Sequence, residues 1–231
     1  AGLRNGSIWA NCMWLKGVVM KAHYNGLIPR NPFIQFHISP NVKEREYLTE
    51  DELKAVMTHE FADSKLAYIR DIFIFASFTV LSFVDIQELT NDNIVEVNGE
   101  KWILSKRHKT KVAFQVKLLD IPLQIVERYR PMQKDNRIFP DLNYWSICKP
   151  LKRMIRECGI TKSISFHCSR HGFATLALSK GMPIESVSRV LGHTNIVTTQ
   201  LYAKITTQKL DNDLTMFGDK LSKTFNGITM S

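Results

Sequence analysis

The stretch Ile72–Val84 is the most apolar run of the chain, and it limits the fold more than any other feature. A helix needs about 20 apolar residues to cross a bilayer, so this run is too short to span one. It reads instead as a core helix, the far part of a long apolar helix over Ser64–Leu81. With 231 residues and 44% apolar content, the chain can bury one substantial core. We expect a main body of about 180 residues and a smaller leading piece. No basic-then-apolar secretory leader opens the sequence.

Local signals place the remaining elements. Thr49-Glu50-Asp51-Glu52 is a capping box ahead of Leu53, Val56 and Met57, so a helix starts there. Asp85–Leu89 reads as a short helix. Ile94–Val97, the tight Asn98-Gly99 turn and Trp102–Ser105 form a hairpin, and Ala113–Leu118 supplies a third strand. Helices follow over Pro122–Tyr129, Tyr144–Cys158, Phe166–Lys180 and Pro183–Leu191, with Gly159 and Gly181 closing two of them. The fold class is α+β: a mainly helical body with a small three-stranded antiparallel sheet.

Two boundaries stand out. Ile8, Cys12, Leu15, Val19 and Ala22 recur at helical spacing over Ser7–Asn25, a stripe with no evident cover in the rest of the chain. Pro29, Pro32 and Pro40 then mark a linker, so residues 1–43 form the leading piece and 44–231 the body. The start at Ala1 suggests a fragment of a longer chain. At the other end, Leu210, Leu214, Phe217 and Leu221 repeat at helical spacing, so a tail helix packs either on its own body or in a neighbour's groove.

The chemistry concentrates between Phe166 and Tyr202. His167, Arg170 and His171 open one helix, and Gly192, His193 and Tyr202 close the region. A phosphate under substitution gathers negative charge that Arg170 can clamp through two parallel N–H bonds and a histidine can meet with one. Tyr202 is a weak nucleophile at neutral pH, and an electropositive surround with a proton relay would activate it. His193 and Tyr202 can face one pocket if Asn195–Lys204 is helical. A zinc site from His167, Cys168 and His171 is disfavoured, because no Glu follows the first His and no second cysteine pair stands nearby. Cys12, Cys148, Cys158 and Cys168 show no paired spacing and read as free thiols. The balance of 31 Lys plus Arg against 22 Asp plus Glu gives a net charge of +9, which favours a polyanionic partner. Lys101–Lys117 and Lys149–Arg156 hold the denser cation clusters.

Together these residues resemble the tyrosine recombinases, or phage-type integrases. The resemblance rests on His167–His171, Ala174-Thr175, Leu178–Gly181, Leu191-Gly192-His193 and Thr198–Tyr202, and extends back to Lys109-Thr110 and Asn31-Pro32-Phe33. It implies Tyr202 as nucleophile, Arg170 and His193 as stabilisers of the pentavalent phosphate, His167 as proton relay, His171 in support, and Lys109, borne on a strand, as the acid for the leaving oxygen. Residues 1–43 would be the last helix of an N-terminal DNA-binding domain plus linker. One position departs: most members carry an arginine where this chain has Ser82, three residues before Asp85, the acid that braces the site. Conjugative-transposon integrases with the same serine are similar. Arg107 leaves the same strand face as Lys109 and is expected to replace the missing guanidinium in part, with Arg70 a weaker candidate; the alternative for Arg107 is a hairpin cation facing DNA backbone or water.

The activity so implied is site-specific cleavage and rejoining of DNA through a 3′-phosphotyrosyl link, for integration and excision of a mobile element, with no cofactor and no metal. Expected partners are double-stranded DNA, further copies in a tetramer on DNA and accessory DNA-bending proteins, in the cytoplasm and away from membranes. The alternatives are a catalytically impaired DNA-binding module and a type IB topoisomerase.

Overall fold

The computed structural model describes residues 5–37, 39, 46–108, 112–133, 135–193, 195–203 and 207–224. The chain divides into two compact units, Ala1–Arg45 and Glu46–Ser231.

In the first unit, α1 (Asn5–Tyr24) is followed by turns up to residue 37. Cys12, Val19 and Ala22 of the expected stripe are half-buried, whereas Ile8 and Leu15 are exposed together with Met13, Trp14 and Val18. The turns are fixed locally: the Asn31 side-chain oxygen accepts the Phe33 N–H at 2.9 Å, and the Phe33 and Phe36 rings meet edge to face at 5.4 Å.

The second unit is built around α3 (Ser64–Thr79). Ile72, Phe73, Ile74, Phe75 and Ala76 are consecutive and all buried, so no face of the helix meets water there. Four helices surround it: α2 (Glu50–Thr58), α5 (Asp120–Tyr129), α6 (Tyr144–Glu157) and α7 (Cys168–Ser179). Enclosing Phe73 and Phe75 stabilises the fold by about 1.5–3 kcal/mol for each side chain. The Ser77 and Thr79 hydroxyls, buried near the same helix's end, donate back to the Phe73 and Phe75 carbonyls at 2.8 and 2.7 Å. Thr49 and Glu52 form the expected capping box on α2. Asp71 ties α3 to α5 by accepting from Arg70 at 2.9 Å, Arg128 at 2.6 Å and Tyr129 at 2.8 Å.

The sheet is antiparallel in the order β1 (Ile94–Val97), β2 (Glu100–Lys106), β3 (Ala113–Lys117). Its first turn needs two residues with positive φ, and Asn98 at 53° and Gly99 at 77° supply them. Pairing runs from Trp102 opposite Lys117 to Lys106 opposite Ala113, and the Arg107 N–H adds one more bond to the Val112 carbonyl at 2.8 Å.

Three expectations need correction. The long helix stops at Thr79 rather than Leu81, because Val80 turns into the left-handed region at φ 60°. The next helix, α4, spans Phe83–Gln87 rather than starting at Asp85, since Ser82 caps it. Of the helix expected over Asn195–Lys204, residues 195–203 show only the single turn α9 (Val197–Gln200), and Lys204 lies outside the described residues. At its start the Asn195 side chain takes the Val197 N–H at 2.9 Å. α8 (Ile184–Leu191) ends at Gly192 with φ 65°, and α10 (Thr207–Thr224) forms the tail.

A second, smaller core gathers Val80, Ala174, Leu178, Val187 and Leu191, with Tyr202 and Ala203 half-buried against it. It packs the end of α3 against α7 and α8 and seats the segment after α9.

Candidate active site

The backbone reversal at Val80 organises the site. A β-branched residue in the left-handed region costs about 1–2 kcal/mol, and full burial of its side chain in the second core offsets that cost. The reversal aims the Val80 carbonyl at two guanidinium groups, accepting from Arg170 Nη1 at 3.1 Å and from Arg107 Nη1 at 3.3 Å. Arg170, in the first turn of α7, also donates to the Leu191 carbonyl. The ends of α3, α7 and α8 thus converge on one pair of cations.

Arg107 lies just past β2 and is buried. Its Nη1 bonds Asp85 Oδ2 at 3.0 Å, its Nη2 donates to the Val190 carbonyl at 3.1 Å, and its guanidinium lies 4.2 Å from the centre of the Phe114 ring. That ring contact follows from register. Arg107 pairs with Val112, which makes Phe114 its diagonal neighbour on the same sheet face. Arg107 Nε is buried and has no hydrogen-bond partner among the described residues; a Cβ added at Gly192 would stand 3.5 Å from it.

Asp85 is the counter-charge. Its Oδ1 accepts the His108 N–H at 3.0 Å, and its Oδ2 accepts the Ser82 hydroxyl at 2.8 Å and the Ser82 N–H at 3.2 Å. The Ser82 side chain therefore supports Asp85 and caps α4. Arg70 is engaged elsewhere, with Asp71 at 2.9 Å and the His59 carbonyl at 2.8 Å. It sits ten residues before Val80, roughly 15 Å back along the helix, so it does not join the site.

The imidazoles lie beside the guanidinium pair. His171, buried on α7, has its ring 4.7 Å from that of His167 and 5.1 Å from that of Tyr202. His193 Nδ1 lies 2.9 Å from the buried hydroxyl of Thr199, which fixes the ring by its neighbour on α9. Lys109 falls between β2 and β3, outside the described residues.

The sequence profile of the phage integrase family matches residues 46–209. This chain belongs to that family. The tyrosine recombinase XerA of Pyrococcus horikoshii is 32% identical over 177 residues, covering 71% of this chain and 58% of that protein. XerC of Lactobacillus leichmannii is 26% identical over 200 residues, covering 80% of this chain and 67% of that one. The chain thus spans little more than half the length of the first of these relatives. Among solved structures, the Tn1549 transposon integrase in complex with circular intermediate DNA superposes with a TM-score of 0.74 at 18% identity, over 92% of this chain and 80% of that one. A lambda integrase dimer bound to a core site gives 0.64 at 18%, over 81% and 56%. These last two likenesses concern the fold.

Electrostatics in the site follow from the packing. Burial pushes the Arg170 guanidinium down to about 10, Arg107 beside it acts the same way, and Tyr202 and Asp85 oppose the change; Arg170 stays charged at neutral pH. Burial also lowers His193, helped by Arg170, Arg107 and His167, so its ring is neutral near pH 7 with one donor and one acceptor nitrogen. For Asp85, burial acts to raise the carboxyl, but the His108 N–H, the Ser82 hydroxyl and Arg107 outweigh it and hold the group below its ordinary value.

Of the residues singled out from sequence, Arg170, Asp85, Ser82 and Arg107 form one bonded cluster, with His193 within its electrostatic reach, while His167, His171 and Tyr202 form a ring-to-ring row. Sequence reasoning missed Val80 and Phe114 as organisers and Thr199 as the partner of His193. The strand register could have exposed Phe114. Nothing local signals the bend at Val80, where glycine would be the usual choice. No helix among the described residues is long and apolar enough to cross a membrane, and no three potential metal ligands gather there.

Proposed function

We propose that the chain is the catalytic part of a site-specific DNA recombinase that cleaves and rejoins strands through Tyr202, in integration and excision of a mobile element. One observation carries the reading: the Tyr202 ring stands 5.1 Å from His171, in a site where the buried Arg107 and the half-buried Arg170 share a single backbone acceptor. Those cations can meet the charge that develops on a phosphate under attack. A relative at 32% identity is named a tyrosine recombinase, which supports the same reaction class.

In the proposed reaction the Tyr202 oxygen bonds to the scissile phosphorus, and the 5′ oxygen of the next nucleotide leaves. Lys109 gives the leaving oxygen its proton, and the phenolic proton passes to the histidine pair His167 and His171. Arg170 and the N–H of neutral His193 hold the non-bridging oxygens. Arg107, braced by Asp85, supplies the second guanidinium charge that Ser82 does not. The phosphotyrosyl bond conserves the energy of the broken phosphodiester, so attack by a second strand's 5′-hydroxyl restores the phenol and the DNA. Partners on this reading are duplex DNA, other copies assembled as a tetramer on paired sites, and DNA-bending proteins. Residues 1–43 would be the end of an N-terminal DNA-gripping domain. Leu210, Leu214 and Phe217 of α10 are exposed, which supports a tail that seats in a neighbouring copy's groove.

The test is a nicked duplex carrying the element's joined ends, incubated with the protein and resolved under denaturing conditions. A protein–DNA band that is present for the wild type and lost in Tyr202→Phe is expected. A missing wild-type band on DNA that the protein binds would leave a non-catalytic binding module.

A further inference from the structure

α7 carries Arg170 and His171, with His167 at its cap position, so its direction of entry decides where all three stand. The helix does not set that direction by itself. His167 has helical φ −66° and ψ −19°, and its side chain does not cap the first turn. Without a side-chain cap, the start of a helix follows the segment before it. Ile160, Ile164 and Phe166 of that segment are buried in the larger core. Apolar burial is non-directional: it fixes how deep the segment lies and leaves the angle of α7 to polar contacts.

Those contacts come from Glu46–Glu52, the stretch that opens the second unit. Glu46 Oε2 accepts the Ser163 N–H at 2.6 Å, four residues ahead of His167. Lys162 Nζ donates to the Tyr47 carbonyl at 3.2 Å and to Glu52 Oε2 at 2.5 Å. That same Glu52 oxygen takes the Thr49 N–H at 2.8 Å, so one carboxylate closes the capping box of α2 and clasps the entry to α7. The Glu52 and Lys162 side chains are only 25% and 30% exposed. Burial acts to raise the Glu52 carboxyl, but Lys162 and the Thr49 N–H outweigh it and hold the group below its ordinary value, ionised at neutral pH. Farther along, the carbonyl of buried Leu48 would stand 3.7 Å from a Cβ added at Gly172 of α7. Glu50 meets Lys180 just past the other end of α7 at 2.8 Å, but those side chains are 41% and 63% exposed, where a pair contributes little.

We propose that Glu52 and Lys162 are positioning residues of the active site: their ion pair, with the Glu46–Ser163 bond beside it, fixes the angle at which α7 enters and so the placement of His167 and Arg170 on the reacting phosphate. Neither side chain belongs to the bonded cluster around Arg107 and Arg170. They act through the helix, because Arg170, in its first turn, keeps its bonds to the Val80 and Leu191 carbonyls only while that turn holds its place. A displacement of about 1 Å at reacting groups can slow a reaction by about 10²-fold. The inference rests on the recombinase reading for its catalytic consequence; the setting of α7 itself does not.

The full chain is compared as wild type, Lys162→Met, Glu52→Gln, the double variant, Lys162→Arg and Lys180→Met. Glu52→Gln keeps the α2 cap, since a carboxamide oxygen still accepts the Thr49 N–H, and loses only the charge. Single-turnover adduct formation at saturating nicked duplex should slow by about 10- to 100-fold in Lys162→Met and Glu52→Gln, with the half-saturating DNA concentration unchanged. The double variant should be no slower than the slower single one, because both remove one interaction. Lys162→Arg should recover the rate to within about threefold, and Lys180→Met should stay within about twofold of wild type. Hydrogen exchange gives a readout independent of chemistry: amides of residues 168–173 should exchange about tenfold faster in Lys162→Met while those of α3 keep their protection. Unchanged rates in both single variants, a rate loss that only mirrors weaker DNA binding or a melted fold, or unchanged exchange in α7 overturns the assignment. A wild type that binds the duplex and forms no adduct sinks the recombinase reading instead, and exchange alone then decides whether the clasp sets α7.

Discussion

Removal of the Arg107 guanidinium separates its structural role from its proposed catalytic one. Arg107 and Asp85 are both buried and bonded at 3.0 Å, so Arg107→Ala leaves a buried carboxylate without its cation. Breaking such a pair from one side costs about 3–5 kcal/mol. Stacking on Phe114 at 4.2 Å disappears at the same time and keeps the expected cost toward the upper end. Replacing both members, as Arg107→Met with Asp85→Asn, removes both charges while filling the volume, and should return stability to within about 1–2 kcal/mol of wild type. If Arg107 supplies charge to the reaction, adduct formation on the nicked substrate should remain about 10²–10³-fold slow in the stable double variant. Arg107→Lys keeps a charge but cannot reach Asp85, Val80 and Val190 together, so an intermediate rate, about tenfold down, is expected. Denaturant melts report the first effect and single-turnover adduct formation the second. Near-wild-type rates in both Arg107→Ala and Arg107→Lys would refute the replacement of the missing arginine.

Other consequences follow from the same geometry. Because Asp85 titrates below its ordinary value of 3.8, its contribution to stability is complete above that pH and disappears as pH falls through the lowered native value; Asp85→Asn should flatten this part of an acid-unfolding profile followed by circular dichroism. Gly192→Ala puts an L side chain at φ 65° with its Cβ 3.5 Å from Arg107 Nε, so thermal unfolding should show a loss of about 1–2 kcal/mol. Thr199→Val removes the hydroxyl 2.9 Å from His193 Nδ1, and we expect adduct formation to slow by about tenfold with DNA affinity unchanged in a gel-shift titration.

Much of this protein was legible without coordinates. The Asn98-Gly99 turn, the Thr49 capping box and the burial of Ile72–Ala76 depend on residues within a few positions of each other, where turn chemistry and side-chain character act directly. The block from His167 to Tyr202 likewise drew together, by residue type and spacing, side chains that the structure places near one another. The helix boundary at Val80 was not legible, because a left-handed residue is held there by its burial in a core assembled with α7 and α8.

The sequence by itself determined that a basic, mainly helical body carries a phenol, three histidines and an arginine between Phe166 and Tyr202, with Ser82 where the resemblance leads one to expect an arginine. Only the tertiary structure decided that Arg107 comes to lie against Asp85, 22 positions away, and the Val190 carbonyl, 83 positions away, and that Arg70 does not. Contacts of that separation depend on how α3, α8 and the sheet pack around a shared core. A guanidinium must find fixed acceptors within about 3 Å, and no local pattern in a single chain encodes where those acceptors will stand.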